Sequence, residues 1–167
     1  MGNIAYIDNQ NLYMSTHHAD DPWQVDMRRF RVYLKEKYGV ETANIFVGAF
    51  DEKYRDMYKR FHDYGYALVF REHAGSQLSR KKGNVDADIV FEMMLDAYAN
   101  PSMEKAVLVS GDGDYKKVVD HLIAIGKFER LLLPSHKNAS FLYRKTPESF
   151  KAYLDQGNVR NRIERRQ

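Results

Sequence analysis

Cysteine is missing from all 167 residues. Its absence excludes disulfides, zinc–thiolate centres and thiol nucleophiles. No apolar run approaches the length of a membrane span, so no membrane partner is expected. The first residues lack a basic region followed by an apolar one and a small-residue cleavage site. No secretory signal is read there, and a cytoplasmic location is expected. Net charge is only +3, which does not by itself point to nucleic acid. Internal repeats and low-complexity segments are also lacking. A chain of this length reads as one domain with room for a substantial core.

What is present centres on Ala106 to Tyr115, which reads Ala-Val-Leu-Val-Ser-Gly-Asp-Gly-Asp-Tyr. A short apolar run bounded by Gly is the pattern of a strand buried on both faces. It stops at Asp112 and Asp114, and helical spacing follows at Tyr115, Val118, Val119, Leu122 and Ile125. The acidic pair is therefore expected at the carboxyl end of a buried strand, where ligands bind in open α/β sheets. Near the N-terminus, Ile4-Ala5-Tyr6-Ile7 runs into Asp8, with Asn9 and Asn11 after it. Asp86 opens a helical run from Asp86 to Tyr98. Crowded like charges cost energy unless a cation neutralises them. Hard cations such as Mg²⁺ take carboxylate oxygens and waters. The pattern predicts a divalent-metal site built from Asp8, Asp86 and Asp112, with Asp114 as a further member.

Along the chain, strands are expected at Gly2–Asp8, Asn44–Phe50, Tyr66–Phe70, Ala106–Ser110 and Phe128–Pro134. Helices are expected at Asp26–Tyr38, Glu52–Asp63, Asp86–Tyr98 and Tyr115–Ile125. Asn9–Trp23 reads as irregular, and Arg71–Val85 as a long polar loop. Beyond Ser135 the pattern weakens. A short helix is expected at Phe141–Arg144, a strand or helix end at Phe150–Leu154, and a frayed end. Alternating strands and helices predict an α/β fold: a mostly parallel sheet of about five strands with helices on both faces. The domain is expected over 1–156, with 157–167 as a basic tail.

Each acidic residue also has a plainer reading. Asp86 could cap its helix, and Asp112 and Asp114 could serve as turn and cap residues. Asp8 has the least structural reason to be acidic, since a carboxylate directly after four apolar strand residues must be solvated, paired or metal-bound. On the third helix, Asp86, Ile89, Val90, Met93 and Ala97 share one stripe. Asp88, Glu92 and Asp96 share another; Asp88 is near enough to the helix start to support the site, and Asp96 is expected on the solvent face. Basic residues cluster in Arg71–Lys82 (Arg71, His73, Arg80, Lys81, Lys82) and in the tail (Arg160, Arg162, Arg165, Arg166). A negative metal site flanked by positive loops suits a polyanionic substrate.

Several chemistries fail on spacing. Gly111-Asp-Gly113 lacks the third Gly of a dinucleotide fingerprint, and no phosphate-loop Gly-Lys-Ser/Thr exists. Asp112-Gly-Asp114 lacks the Gly and distal Glu of a calcium loop. A haloacid-dehalogenase-like phosphatase would carry Asp two residues after Asp8, where this chain has Gln10.

Three blocks together resemble the NYN domain of the PIN-like metal-dependent ribonuclease superfamily, in its LabA-like branch. They are Tyr6-Ile7-Asp8-Asn9-Gln10-Asn11-Leu12, Lys82-Gly83-Asn84-Val85-Asp86-Ala87-Asp88 and Leu108-Val109-Ser110-Gly111-Asp112-Gly113-Asp114-Tyr115. The resemblance implies a PIN-like three-layer sandwich and Mg²⁺- or Mn²⁺-dependent hydrolysis of RNA. On it, Asp8, Asp86, Asp112 and Asp114 form the catalytic set, with Asn11, Asp88 and Ser110 in support. Lys82, with Lys81 and Arg80, is expected to contact substrate phosphates. RNA is the implied partner, with room for a homodimer or a larger RNA-processing complex. The competing expectations are a non-catalytic RNA-binding or scaffold module on the same fold, and a metal-dependent phosphatase.

Overall fold

A computed structural model describes residues 1–71 and 85–166. The chain runs β1 (Gly2–Asp8), α1 (Asn9–His17), α2 (Met27–Tyr38), β2 (Val40–Gly48), α3 (Arg55–Asp63) and β3 (Ala67–Phe70). It continues α4 (Val85–Ala99), β4 (Met103–Val109), α5 (Lys116–Ala124), β5 (Phe128–Leu133), β6 (Lys151–Tyr153) and α6 (Gly157–Ile163). One sheet has the order β3-β2-β1-β4-β5-β6, and every neighbouring pair is parallel. The sheet thus has six strands rather than about five; the added one is β6, from the segment read as a strand or helix end. Among the described residues no helix is long and apolar enough to cross a membrane.

Strand parity builds two cores. Ala5 and Ile7 of β1 and Val107 and Val109 of β4 enter one core with Phe30 and Leu34 of α2 and Phe61 of α3. Ile4 and Tyr6, with Ala106 and Leu108, enter the other with Ile89 and Met93 of α4 and Val119 and Leu122 of α5. Successive side chains on a strand point to opposite faces, so the even-numbered residues of both central strands face α4 and α5. The strand order grows outward from β1 in one direction and from β4 in the other. Right-handed connections then put the intervening helices on opposite faces. The carboxyl ends of β1 and β4 flank the point where the order reverses, the crevice where open α/β sheets bind ligands.

The helix ends follow local rules. The Asp26 side chain accepts a hydrogen bond from Arg29 N (3.0 Å) at the start of α2, and Gly39 closes it at φ +61°, a conformation costly for other residues. Two expectations are corrected here. Asn9–His17 is helical rather than irregular. Its Asn, Ser and Thr residues are weak helix formers, and only Leu12 and Thr16 are buried, so no apolar stripe marks it. Residues 157–163 are not frayed: Gly157–Ile163 is helical, and Ile163 is fully buried in the same core cluster as Phe30 and Leu34.

Candidate metal centre

Asp8 and Ser110 are the next even-numbered residues after Tyr6 and Leu108, so both side chains turn toward α4 and α5. There they meet. Ser110 Oγ donates to Asp8 Oδ2 (3.3 Å) and accepts from Asp112 N (3.1 Å). Asn11 ties the same two strand tips together: its N–H donates to Asp8 Oδ1 (3.0 Å), and its Oδ1 accepts from Gly111 N (2.8 Å). Asp8 is thus the N-cap of α1, a structural role its sequence position did not suggest.

Asp86 lies in the first turn of α4, where the helix dipole favours negative charge. Carboxylate oxygens of Asp86, Asp112 and Asp114 all lie within 4.8 Å of one another, close enough to share one cation. Asp8 is not one of this group; it sits behind it, 6% exposed. The connection is Tyr115, whose hydroxyl lies 2.7 Å from Asp86 Oδ1 and 3.1 Å from Asp8 Oδ2. Burial holds the carboxyls of Asp8 and Asp86 above the ordinary range. The Tyr115 hydrogen bond pulls both back down, while the Asp112 and Asp114 charges push Asp86 further up. Burial, with the two neighbouring carboxylates, raises the Tyr115 phenol far above its normal value, so it stays a donor.

The remaining parts hold the acidic turn in shape. Asp112, rather than Asp114, caps the short helical turn Gly113–Tyr115, accepting from Asp114 N (3.0 Å). Tyr143 donates to Asp112 O (2.5 Å), and Ser140 N donates to Gly111 O (2.9 Å). A Cβ on Gly113 would collide with Ser140 Oγ and come within 2.9 Å of Leu142 Cδ1, so Gly lets this loop close over the turn without displacing those side chains.

The sequence expectations fare unevenly. Asp86, Asp112 and Asp114 come together, Asp8 adjoins them, and Asn11 and Ser110 connect the strand tips. Asp88 is exposed and stands outside the group. Arg80, Lys81 and Lys82 lie outside the described residues, as do Gly83 and Asn84. Asp96 is not a solvent residue: it is half-buried, accepts from the Tyr6 hydroxyl (2.6 Å), and accepts from Asn100 Nδ2 (2.9 Å). Tyr115 and Tyr143 were missed as polar parts. For Tyr115 the available signal was Tyr rather than Phe at an apolar helix position directly after an acidic turn, because a buried phenol needs a partner; for Tyr143 the sequence carried no such signal.

The donor set fits a hard divalent cation. It offers only oxygen, from three carboxylates, one of them exposed, with no thiolate and no imidazole in the group. Comparison with known proteins adds the following. A family model described as the NYN domain matches residues 4–161. The fold is similar to a crystal structure of a protein of unknown function from Vibrio parahaemolyticus. That protein is 20% identical with a TM-score of 0.74, and the match covers 93% of this chain and 94% of that one. A search among curated proteins finds no match.

Proposed function

The chain belongs to the NYN domain family, and on that premise we propose that it is a Mg²⁺- or Mn²⁺-dependent ribonuclease. NYN domains belong to the PIN-like nuclease superfamily; the three sequence blocks favour the LabA-like branch within it. One observation carries the reading: the oxygens of Asp86, Asp112 and Asp114 converge within 4.8 Å at the carboxyl edge of the sheet, where the strand order reverses.

Asp86, Asp112 and Asp114 are the residues that would hold the cation. Bound there, it would stabilise charge on the scissile phosphate and lower the pKa of an attacking water. Asp114 is the exposed member, and we assign it the orientation of that water. Asp8 acts from behind: through the Tyr115 hydroxyl it fixes how Asp86 presents its carboxylate. Ser110 and Asn11 keep the tips of β1 and β4 at a constant separation. Arg80, Lys81 and Lys82 are proposed on sequence grounds to meet the substrate backbone. RNA in the cytoplasm is the proposed substrate.

The test is a labelled single-stranded RNA incubated with Mg²⁺ or Mn²⁺, with EDTA, and with Asp112→Asn. Cleavage is expected with metal and lost in the other two conditions. Cleavage that survives both EDTA and the substitution would overturn the reading. Binding without cleavage under any metal would mark a scaffold module instead. Phosphate release from small esters with no effect on RNA would mark a phosphatase.

A further inference from the structure

On the α1–α3 face of the sheet a groove of about 510 Å³ begins at Asn9, the residue after Asp8, and reaches Arg165. A second hollow of about 370 Å³ shares His17, Gln24 and Arg165 with it and adds Trp23. Volumes of this order suit a small-molecule ligand. The groove floor is apolar, from Leu12, Met57 and Phe61. Tyr13 is 53% exposed, and its ring stacks on His17 with centroids 3.9 Å apart and planes 25° apart.

The polar lining is unbalanced. Arg60 and Arg165 both line the groove, and among the described residues neither has a carboxylate within ion-pair distance. The acidic residues lining the groove and the adjoining hollow are already engaged: Asp26 caps α2 and pairs with Arg29, and Glu164 pairs with Arg160. His17 Nδ1 and Trp23 Nε1 are buried with no hydrogen-bond partner among the described residues. Buried polar atoms are normally satisfied, and these are two of five such unpartnered side-chain atoms among the described residues. A flat ring face, unused ring nitrogens and two cations without counter-charges suit a ligand that is aromatic, hydrogen-bonding and anionic at once.

We propose that this groove seats a nucleotide of a single-stranded RNA whose backbone leads on to the acidic group of Asp86, Asp112 and Asp114. The base lies against the Tyr13–His17 stack, and the phosphates lie at Arg60 and Arg165. The nine residues of α1 span about 14 Å, and on this proposal the strand follows the helix from the groove to the carboxyl edge of the sheet, beyond which the acidic group lies. The inference rests on the ribonuclease reading and gives it a substrate path on the face opposite α4 and α5.

The test measures anisotropy of a fluorescein-labelled ten-nucleotide single-stranded RNA in EDTA, across a range of KCl. Tyr13→Ala, Arg60→Ala and Arg165→Ala are compared with Lys37→Ala, which removes one positive charge at the far end of α2; circular dichroism confirms that each is folded. Tyr13→Ala is expected to weaken binding about tenfold, as for loss of one base stack. Each Arg variant is expected to lower the slope of log Kd against log salt by about 0.7, and Lys37→Ala to leave it unchanged. Adenosine monophosphate serves as competitor: weak competition supports a strand, and competition as tight as the oligonucleotide overturns that assignment. Unchanged binding and slope in all three variants, with metal-dependent cleavage intact, would remove the groove and leave the ribonuclease reading standing. Weakened binding in the variants, with no cleavage by the unaltered chain, would keep the groove and remove hydrolysis.

Discussion

Replacing Tyr115 by Phe tests the connection between the buried and exposed carboxylates. The ring is fully buried, so Phe fills the same space and only the hydroxyl is lost. Asp8 keeps two other donors, Asn11 N and Ser110 Oγ. Asp86 loses its one side-chain donor among the described residues, so the loss falls mainly on Asp86. A hydrogen bond to a charged group contributes about 1.5–3 kcal/mol; the half-exposed setting of Asp86 screens that to about 1–2 kcal/mol. In a domain of this size each kcal/mol moves Tm by roughly 2–4 °C, so a fall of about 2–8 °C is expected at neutral pH without metal. The sign of the pH dependence follows from the same bond. The hydroxyl lowers both carboxyl pKa values, so in its absence the folded variant holds protons to higher pH than the parent. The stability difference therefore widens as pH rises and narrows where both carboxyls are protonated. Urea denaturation of both proteins in EDTA, at pH values from about 4 to 8, measures it. A variant as stable as the parent at neutral pH, or a difference that shrinks as pH rises, would refute the reasoning.

Asp8→Asn is expected to flatten the pH–stability profile of the metal-free protein. The folded-state pKa of Asp8 lies above its unfolded value, so the folded chain binds the extra proton between the two, and stability falls as pH rises through that window. Urea midpoints from pH about 4 to 7 should decline less in the variant, and an equally steep decline would count against a buried Asp8. Gly113→Ala is expected to destabilise by about 1–2 kcal/mol through its collision with Ser140 and Leu142. Urea titration should show the penalty shrink in a Ser140→Gly background; a penalty unaffected by that second change would locate the strain elsewhere.

The central strands and the helices α2 to α5 were legible because each carries a period: continuous apolar runs at Ile4–Ile7 and Ala106–Val109, and helical spacing at Phe30, Tyr33 and Leu34. What hid α1 was the lack of such a period; its start is set by Asp8 as cap, and capping is read as chemistry when the residue is an isolated acid after a strand. β6 was read only as a strand or helix end at Phe150–Leu154, for another reason. Lys151–Tyr153 is three residues long, and it exists because Leu131, Leu132 and Leu133 offer it an edge to pair with. Pairing across the chain is not a local property, so short edge strands leave little local trace.

The acidic residues were legible as a set but not as a hierarchy, and the hierarchy follows from depth. Asp8 is the last residue of β1, so it shares the parity of Ile4 and Tyr6 and is drawn down to their level, 6% exposed. Asp112 and Asp114 come two and four residues after Ser110, past the end of β4, where the chain has left the sheet and can present oxygen to solvent. Asp86 comes from a helix on the same face and bridges the two levels through Tyr115. A carboxylate whose lone pairs already accept from a backbone N–H and the Ser110 hydroxyl, with the Tyr115 hydroxyl beside it, has less to offer a cation than one facing water. On the proposed reading, burial by strand parity gives Asp8 a positioning role, and Asp86, Asp112 and Asp114 are left to face the cation.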